Sequence, residues 1–249
     1  MNIPAIKAID HIDIVTTHDC NMSCPNCIDK FLRKPGEAIS VLTVHDFLYP
    51  LARHAKPNTE ILLLGGEPTT LPIERLIDIS LMIRSFGFKA AISTNGKERN
   101  KILQILPYYD WVQITVRNDA EIEFYNGYTN VNAKLNGDKH LTIKKLEDFI
   151  EKTAGYQRRS LTMYFTPDHQ ELCQDPEIWA LLNSLEWERK GSYDYGFYKG
   201  MRIKKCIPGA TNMVDEPTIP KLYPNGNYNK TWGNEDMDDY LKLYMRKED

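Results

Sequence analysis

Residues 19–30 read DCNMSCPNCIDK, with cysteines at Cys20, Cys24 and Cys27. Three residues separate the first pair, two separate the second, and no fourth cysteine stands beside them. Thiolates suit iron and zinc. A structural zinc site is usually closed by four ligands, and ferredoxin-type runs supply four cysteines at other spacings. With three, a distant group such as His18, Cys173 or Cys206 completes the set, or the fourth position is left for something else to bind. A zinc knuckle with a remote fourth ligand is the plainest alternative.

The rest of the chain narrows the choice. Its 249 residues, 42% of them hydrophobic, suffice for one sizeable core, or a core domain with a smaller appendage. Basic and acidic residues number 31 and 34, a formal charge of −3. A nucleic-acid partner is not expected from that balance, since such binders usually carry a basic excess. No apolar run approaches the ~18–20 residues that span a bilayer, and the N-terminus lacks a charged-then-apolar signal layout. A cytoplasmic location without a membrane partner is the expectation. The odd cysteine count and the clustering of three are unlike a disulfide framework.

Strands and helices alternate around the cysteines. Period-2 or continuous apolar runs predict strands at 11–17, 60–66, 88–94, 110–116 and 160–166, with a sixth inside 193–203. Amphipathic runs predict helices at 43–55 (capped by Thr43 and interrupted or kinked near Pro50), 73–87, 98–106, 142–154 and 175–187. The polar stretch 126–140 reads as a long loop or small hairpin. This alternation predicts an α/β fold with parallel strands and right-handed crossovers, either an open sheet or a partial barrel. Cofactors in both bind at the carboxyl ends of strands. The pattern fails beyond Cys206. The expected organisation is therefore a domain over 1–200 and an irregular extension over 201–249, covering the substrate pocket and closed by a short helix at 236–245.

Three strand ends carry candidate binding groups. LLLGGEPT (62–69) ends the second strand; Gly65 and Gly66 let backbone approach a ligand, and Glu67 offers an acceptor. ISTNG (92–96) ends the third, where Ser93, Thr94 and Asn95 suit ribose hydroxyls, or else the segment is an ordinary Asn-Gly turn. QITVRND (113–119) ends the fourth, where Thr115 and Arg117 are candidates; Arg117 suits a carboxylate of the cofactor or a substrate anion, or else is a surface arginine. Tyr164 and Thr166 are weaker candidates.

The Cys-x3-Cys-x2-Cys run after the first strand, followed by GGEP and TNG at the next two strand ends, resembles the radical S-adenosylmethionine (radical SAM) superfamily. The resemblance covers roughly residues 12–166 and is most specific in its first hundred. It implies a partial (β/α)6-type barrel in which Cys20, Cys24 and Cys27 hold one [4Fe-4S] cluster and S-adenosylmethionine chelates the open iron. It implies that Gly65, Gly66 and Glu67 contact the methionine amino group, and that Ser93 and Asn95 contact the ribose. Thr115 and Arg117 complete the cofactor set. A flavodoxin- or ferredoxin-like donor supplies one electron, S-adenosylmethionine is cleaved to methionine and a 5′-deoxyadenosyl radical, and that radical abstracts a substrate hydrogen. Asn26 departs from the aromatic residue that often precedes the last cysteine.

The tail bears a faint resemblance to peptide-modifying members, in the rhythm Cys206, Gly209, Pro224, Gly226. The next cysteine is missing, so Cys173 and Cys206 read as buried small hydrophobes rather than ligands of an auxiliary cluster. A peptide is the first-choice substrate, with a small molecule, nucleotide or tRNA as the alternative. The order Cys27, Ile28, Asp29, Lys30 argues against a 7-deazaguanine-forming member. The absence of a second cluster region argues against a glycyl-radical activase. The competing class is a non-catalytic zinc or iron–sulfur binding module.

Overall fold

The computed structural model describes residues 11–24, 36–52, 58–163, 173–190, 193–206, 221–226 and 228–229. In chain order the elements are β1 (His11–Val15), α1 (Val41–Ala52), β2 (Glu60–Leu64), α2 (Ile73–Ser85), β3 (Lys89–Thr94), α3 (Arg99–Ile105), β4 (Trp111–Thr115), α4 (Asp119–Tyr125) and β5 (Val131–Gly137). They continue with α5 (Ile143–Lys152), β6 (Arg158–Met163), α6 (Pro176–Asn183), β7 (Glu188–Lys190), β8 (Tyr193–Tyr198), β9 (Met201–Cys206), β10 (Lys221–Leu222) and β11 (Tyr228–Asn229). They form two compact units, Met1–Val112 with Pro217–Asp249, and Gln113–Glu216. No helix among the described residues is long and apolar enough to cross a membrane.

In the first unit, β1, β2 and β3 pair in parallel, and β10 joins the free side of β1, also in parallel. Register aligns Ile12 with Ile61 and Ala90, and Ile14 with Leu63 and Ile92. All six are fully buried, as are Val44 and Leu48 of α1 and Leu76, Ile79 and Ile83 of α2. Period-2 apolar positions on the strands therefore meet helical stripes, each buried aliphatic side chain contributing about 1.5–3 kcal/mol. Helix α1 starts earlier than the sequence suggests. Ser40 is the cap, its Oγ accepting from Thr43 N at 2.9 Å, and the chain stays helical through Pro50 to Ala52.

The second unit departs further from the sequence reading. Residues 126–140 are not a loop, because Val131–Gly137 forms strand β5, parallel to β6. Asn132, Lys134 and Asn136 occupy its polar face and disguise a strand whose other positions include the buried Val131 and Ala133. Helix α4, also missed, starts at Asn118, whose side chain accepts from Glu121 N at 3.0 Å. The single strand expected within 193–203 is a hairpin of β8 and β9, turning at Lys199 (φ 45°) and Gly200 (φ 73°). Residue 200, the expected end of the first domain, lies in that turn, and β9 runs on to Cys206, paired in parallel with β6 as far as Lys205. Helices α5 and α6 begin at the caps Thr142 and Asp175. Cys173 is fully buried with Sγ 3.6 Å from Leu141 O, and burial pushes its thiol pKa up, as befits a small hydrophobe. The side chain of Cys206 and the helix expected at 236–245 lie outside the described residues.

A charged cluster sits at the amino ends of β1 and β2. His11 Nδ1 is 2.9 Å from Glu60 Oε1, and its Nε2 is 2.9 Å from Asp13 Oδ1. Trp111 Nε1 donates to the other Glu60 oxygen. Burial pulls the His11 pKa down, but hydrogen bonds and charge attraction from Asp13 and Glu60 overcome it and raise it from 6.5 to about 9. The folded state thus holds this proton more tightly than the unfolded one. The resulting stability is fully present below 6.5 and is lost as pH rises through about 9. The midpoint of thermal unfolding should fall across that window, and His11→Gln should flatten the fall; a parallel loss in the variant would assign the pH dependence elsewhere.

Candidate functional site

Beyond β1 the chain forms a rigid stem for the cysteine loop. Thr16 N donates to Leu64 O at 2.7 Å, and Ile39 N donates to Thr16 O at 2.7 Å. Thr17 Oγ1 donates to Glu37 O at 2.9 Å and accepts from Asp19 N at 3.0 Å. The Asp19 carboxylate accepts from Gly36 N at 3.1 and 3.3 Å. These bonds tie the two ends of the loop together at its base. Cys20 is half-buried and Cys24 exposed; Cys27 and Asn26 lie outside the described residues.

The GGE turn after β2 packs directly on this stem. Gly66 N donates to Thr17 O, and Glu67 N to Asp19 O, both at 2.8 Å. Gly65 has φ +123°, and a Cβ there would lie 2.5 Å from Thr17 O. A Cβ on Gly66 would lie 2.3 Å from Asp19 O and 2.7 Å from His18 O. Real Cβ atoms do not approach so closely, so both glycines are required by the chain itself, whatever ligand approaches them.

Glu67 is 1% exposed, and its carboxylate collects four donors. Oε1 accepts from Thr69 N at 3.0 Å and from the hydroxyls of Thr69 and Thr94 at 2.6 Å each. Oε2 accepts from Asn95 N at 2.6 Å. A buried carboxylate without partners would be expensive, whereas this one locks the end of β2 to the tip of β3. Lys101 of α3 donates to Thr69 O at 2.6 Å and Leu71 O at 2.9 Å, holding the far side of the turn.

The tip of β3 reaches the cysteine loop. Asn95 Nδ2 donates to Asn21 Oδ1 at 2.7 Å, and Lys97 Nζ donates to Asn21 O at 3.3 Å. Asn21 follows Cys20, so this tip braces the loop next to a candidate ligand. Ser93 is half-buried on the strand side opposite the buried Thr94. Thr115 and Arg117 belong to the second unit. There Thr115 ends β4 half-buried, and Arg117 lies 3.5 Å from Glu121 Oε1. Tyr164 and Thr166 lie outside the described residues.

Sequence reading missed Thr17, Asp19, Asn21 and Lys97 as parts of this assembly, and it took Thr94 for a ribose-binding group without its bond to Glu67. Strand alternation already sets Thr94 opposite Ser93, but its partner Glu67 is 27 residues away in sequence. His18 is also buried; its Nδ1 has no hydrogen-bond partner among the described residues, and its ring stacks on Tyr223, the residue after β10, with centroids 6.4 Å apart. The side chains of Tyr228 and Trp232 lie outside the described residues.

Three comparisons bear on this assembly. No protein-family model matches the chain. A Methanocaldococcus jannaschii protein carrying the provisional name glycyl-radical enzyme activating enzyme is 26% identical over 200 residues, 75% of this chain and 77% of the relative. Among solved structures, Streptococcus suis SuiB bound to S-adenosylmethionine aligns with 98% of this chain and 67% of its own, at TM-score 0.63 and 11% identity. SuiB bound to the precursor peptide SuiA aligns at TM-score 0.64 and 10% identity, over 98% of this chain and 66% of its own. The enzyme anSMEcpe with bound AdoMet and Kp18Cys peptide aligns with 74% of this chain and 54% of its own, at TM-score 0.51 and 14% identity. The structural likeness shows the fold, the α/β partial barrel expected from the motifs. Motifs, fold and relative agree in one likeness: the chain is similar to radical SAM enzymes, a class whose cofactors are a [4Fe-4S] cluster and S-adenosylmethionine.

The described residues fit those cofactors. The loop offers soft sulfur donors rather than a hard oxygen cage, and its base is fixed by backbone hydrogen bonds. Two outcomes follow from the geometry. Gly66→Ala should destabilise the chain by about 1–3 kcal/mol, because the new methyl group overpacks the stem; urea unfolding checks this, and an unchanged midpoint would mean that stem and turn part freely. Glu67→Gln should cost about 1.5–3 kcal/mol, because the amide nitrogen must face a donor in place of an acceptor oxygen; a neutral substitution would show that Thr94 and Asn95 do not depend on the charge.

Proposed function

We propose that this chain cleaves S-adenosylmethionine reductively and uses the resulting 5′-deoxyadenosyl radical to take a hydrogen atom from a peptide or protein substrate. The observation that carries the reading is the docking of the cysteine-loop stem on the GGE turn, with Glu67 and Asn95 fastening both to the β3 tip. Cys20, Cys24 and Cys27 would hold the cluster, which would supply the electron for that cleavage once reduced by a flavodoxin- or ferredoxin-like donor.

The chain's own residues supply position. Thr17 and Asp19 fix where the loop leaves the sheet, so the thiols are presented from a firm base. Gly65 and Gly66 keep the turn flat against that base and assign its outer surface to the methionine end of S-adenosylmethionine. Ser93 and Asn95, on the next strand end, are assigned to the ribose, with Asn95 also holding Asn21. Thr115 and Arg117 are assigned to the cofactor's remaining polar groups. Orientation by fixed groups of this kind is the protein's part in such chemistry.

The peptide reading is supported by the likeness to SuiB with its precursor peptide and to anSMEcpe with its bound peptide. The relative's name favours a second version, in which the hydrogen comes from a glycine Cα of a protein partner. Both versions place the reacting carbon in a polypeptide.

The decisive assay is anaerobic. The chain is reconstituted with iron and sulfide, supplied with dithionite and S-adenosylmethionine, and assayed for 5′-deoxyadenosine, with Cys24→Ala alongside. About four irons per chain with 5′-deoxyadenosine from the wild type and none from the variant is the expected result. Bound zinc without iron, or equal product from both proteins, would overturn the reading.

A further inference from the structure

Within the second unit, one sheet face is explained by packing. Leu161, Met163, Met201 and Ile203 are buried there, and Arg159 on the same face donates to Ile150 O of α5 at 2.9 Å. The opposite face is polar. Strand register lines up Lys134, Ser160, Arg202 and Phe197 in one row across β5, β6, β9 and β8. The next row on that face is Asn136, Thr162, Lys204 and Tyr195, with Glu188 of β7 beyond Tyr195. Arg158 opens the preceding row beside Asn132. Cations thus outnumber carboxylates among these described positions, and Arg202 lies 5.7 Å from the Tyr195 ring.

Two atoms of this face have no hydrogen-bond partner among the described residues. Ser160 is 3% exposed, and its Oγ is buried with no hydrogen-bond partner among the described residues. Among the same residues Asn136 Oδ1 is likewise buried without a partner. Each such group costs about 1–3 kcal/mol, and alanine would fill a strand position without that penalty. A hydroxyl between two cationic register neighbours, with an amide oxygen one row away, is a donor–acceptor set in need of a ligand.

We infer that this face binds an acidic side chain of a peptide substrate, together with the adjoining peptide N–H. Arg202 and Lys204 face the carboxylate, Ser160 Oγ donates to it, and Asn136 Oδ1 accepts the N–H. Phe197, 66% exposed, gives apolar contact for the neighbouring residue. The inference rests on the peptide reading above and adds to it the charge of the segment recognised.

The test is a titration of the full 15N-labelled chain, without iron or S-adenosylmethionine, so that binding is read independently of radical chemistry. The probes are an acetylated, amidated tetrapeptide with two central glutamates, its glutamine counterpart, and free glutarate. The glutamate peptide should shift the amides of Ser160, Thr162, Arg202 and Lys204. The glutamine peptide should bind at least about tenfold more weakly, and Arg202→Glu should abolish the response. Ser160→Ala should weaken binding several-fold while leaving the rest of the spectrum in place. Equal response to both peptides, or a response that survives Arg202→Glu, overturns the site. Glutarate binding as tightly as the glutamate peptide overturns the peptide as occupant. Formation of 5′-deoxyadenosine without these shifts sinks this inference alone; the shifts without 5′-deoxyadenosine sink the radical reading alone.

Discussion

Everything proposed for the first unit depends on one buried carboxylate. Glu67 belongs to the turn after β2, yet two of its four donors come from Thr94 and Asn95 at the end of β3. The backbone N–H of the same residue donates to Asp19 O, in the stem of the cysteine loop. A single residue therefore joins three strand ends, side chain in one direction and main chain in the other. A negative charge at 1% exposure is tolerable only because its hydrogen bonds are complete.

The glycines beside it have a related origin. Their usual explanation, room for a ligand, is incomplete here, because the first atoms a side chain would strike are the carbonyl oxygens of Thr17 and Asp19. Close approach of two backbone segments comes first, and the surface offered to a cofactor is a result of it. Fixing the thiol-bearing loop through main-chain bonds has a chemical advantage. The loop base holds its position without using the side chains that must remain available as ligands.

The two units handle their sheets differently. In the first, the strand face carrying Ile12, Ile61 and Ala90 is sealed by helices, and polar chemistry gathers at the strand tips. In the second, polar residues extend along the strands themselves, from Lys134 through Ser160 to Arg202. A sheet face of that kind is poorly suited to a dry core. Buried polar atoms such as Ser160 Oγ and Asn136 Oδ1, with no hydrogen-bond partner among the described residues, are costly in such a face unless a ligand supplies one.

The sequence by itself carried the likeness to radical SAM enzymes. Local patterns sufficed: thiols at fixed spacing, Gly-Gly-Glu-Pro at one strand end, Thr-Asn-Gly at the next, and apolar periodicity for the first four strands. It also foresaw Cys173 as a buried small hydrophobe. Strand β5 escaped notice because its polar face interrupts the apolar signal, and the β8–β9 hairpin because Lys199 is an unusual residue for a left-handed turn position. Only the tertiary structure decided that Glu67 serves Thr94 and Asn95, that Gly66 faces Asp19, and that Asn95 braces Asn21. These are contacts between residues far apart in the chain, and no local rule of spacing or propensity encodes which distant donor a buried carboxylate will find. The same reason hid the polar rows of the second unit, since strand register, set by pairing and not by composition, brings Lys134, Ser160 and Arg202 side by side.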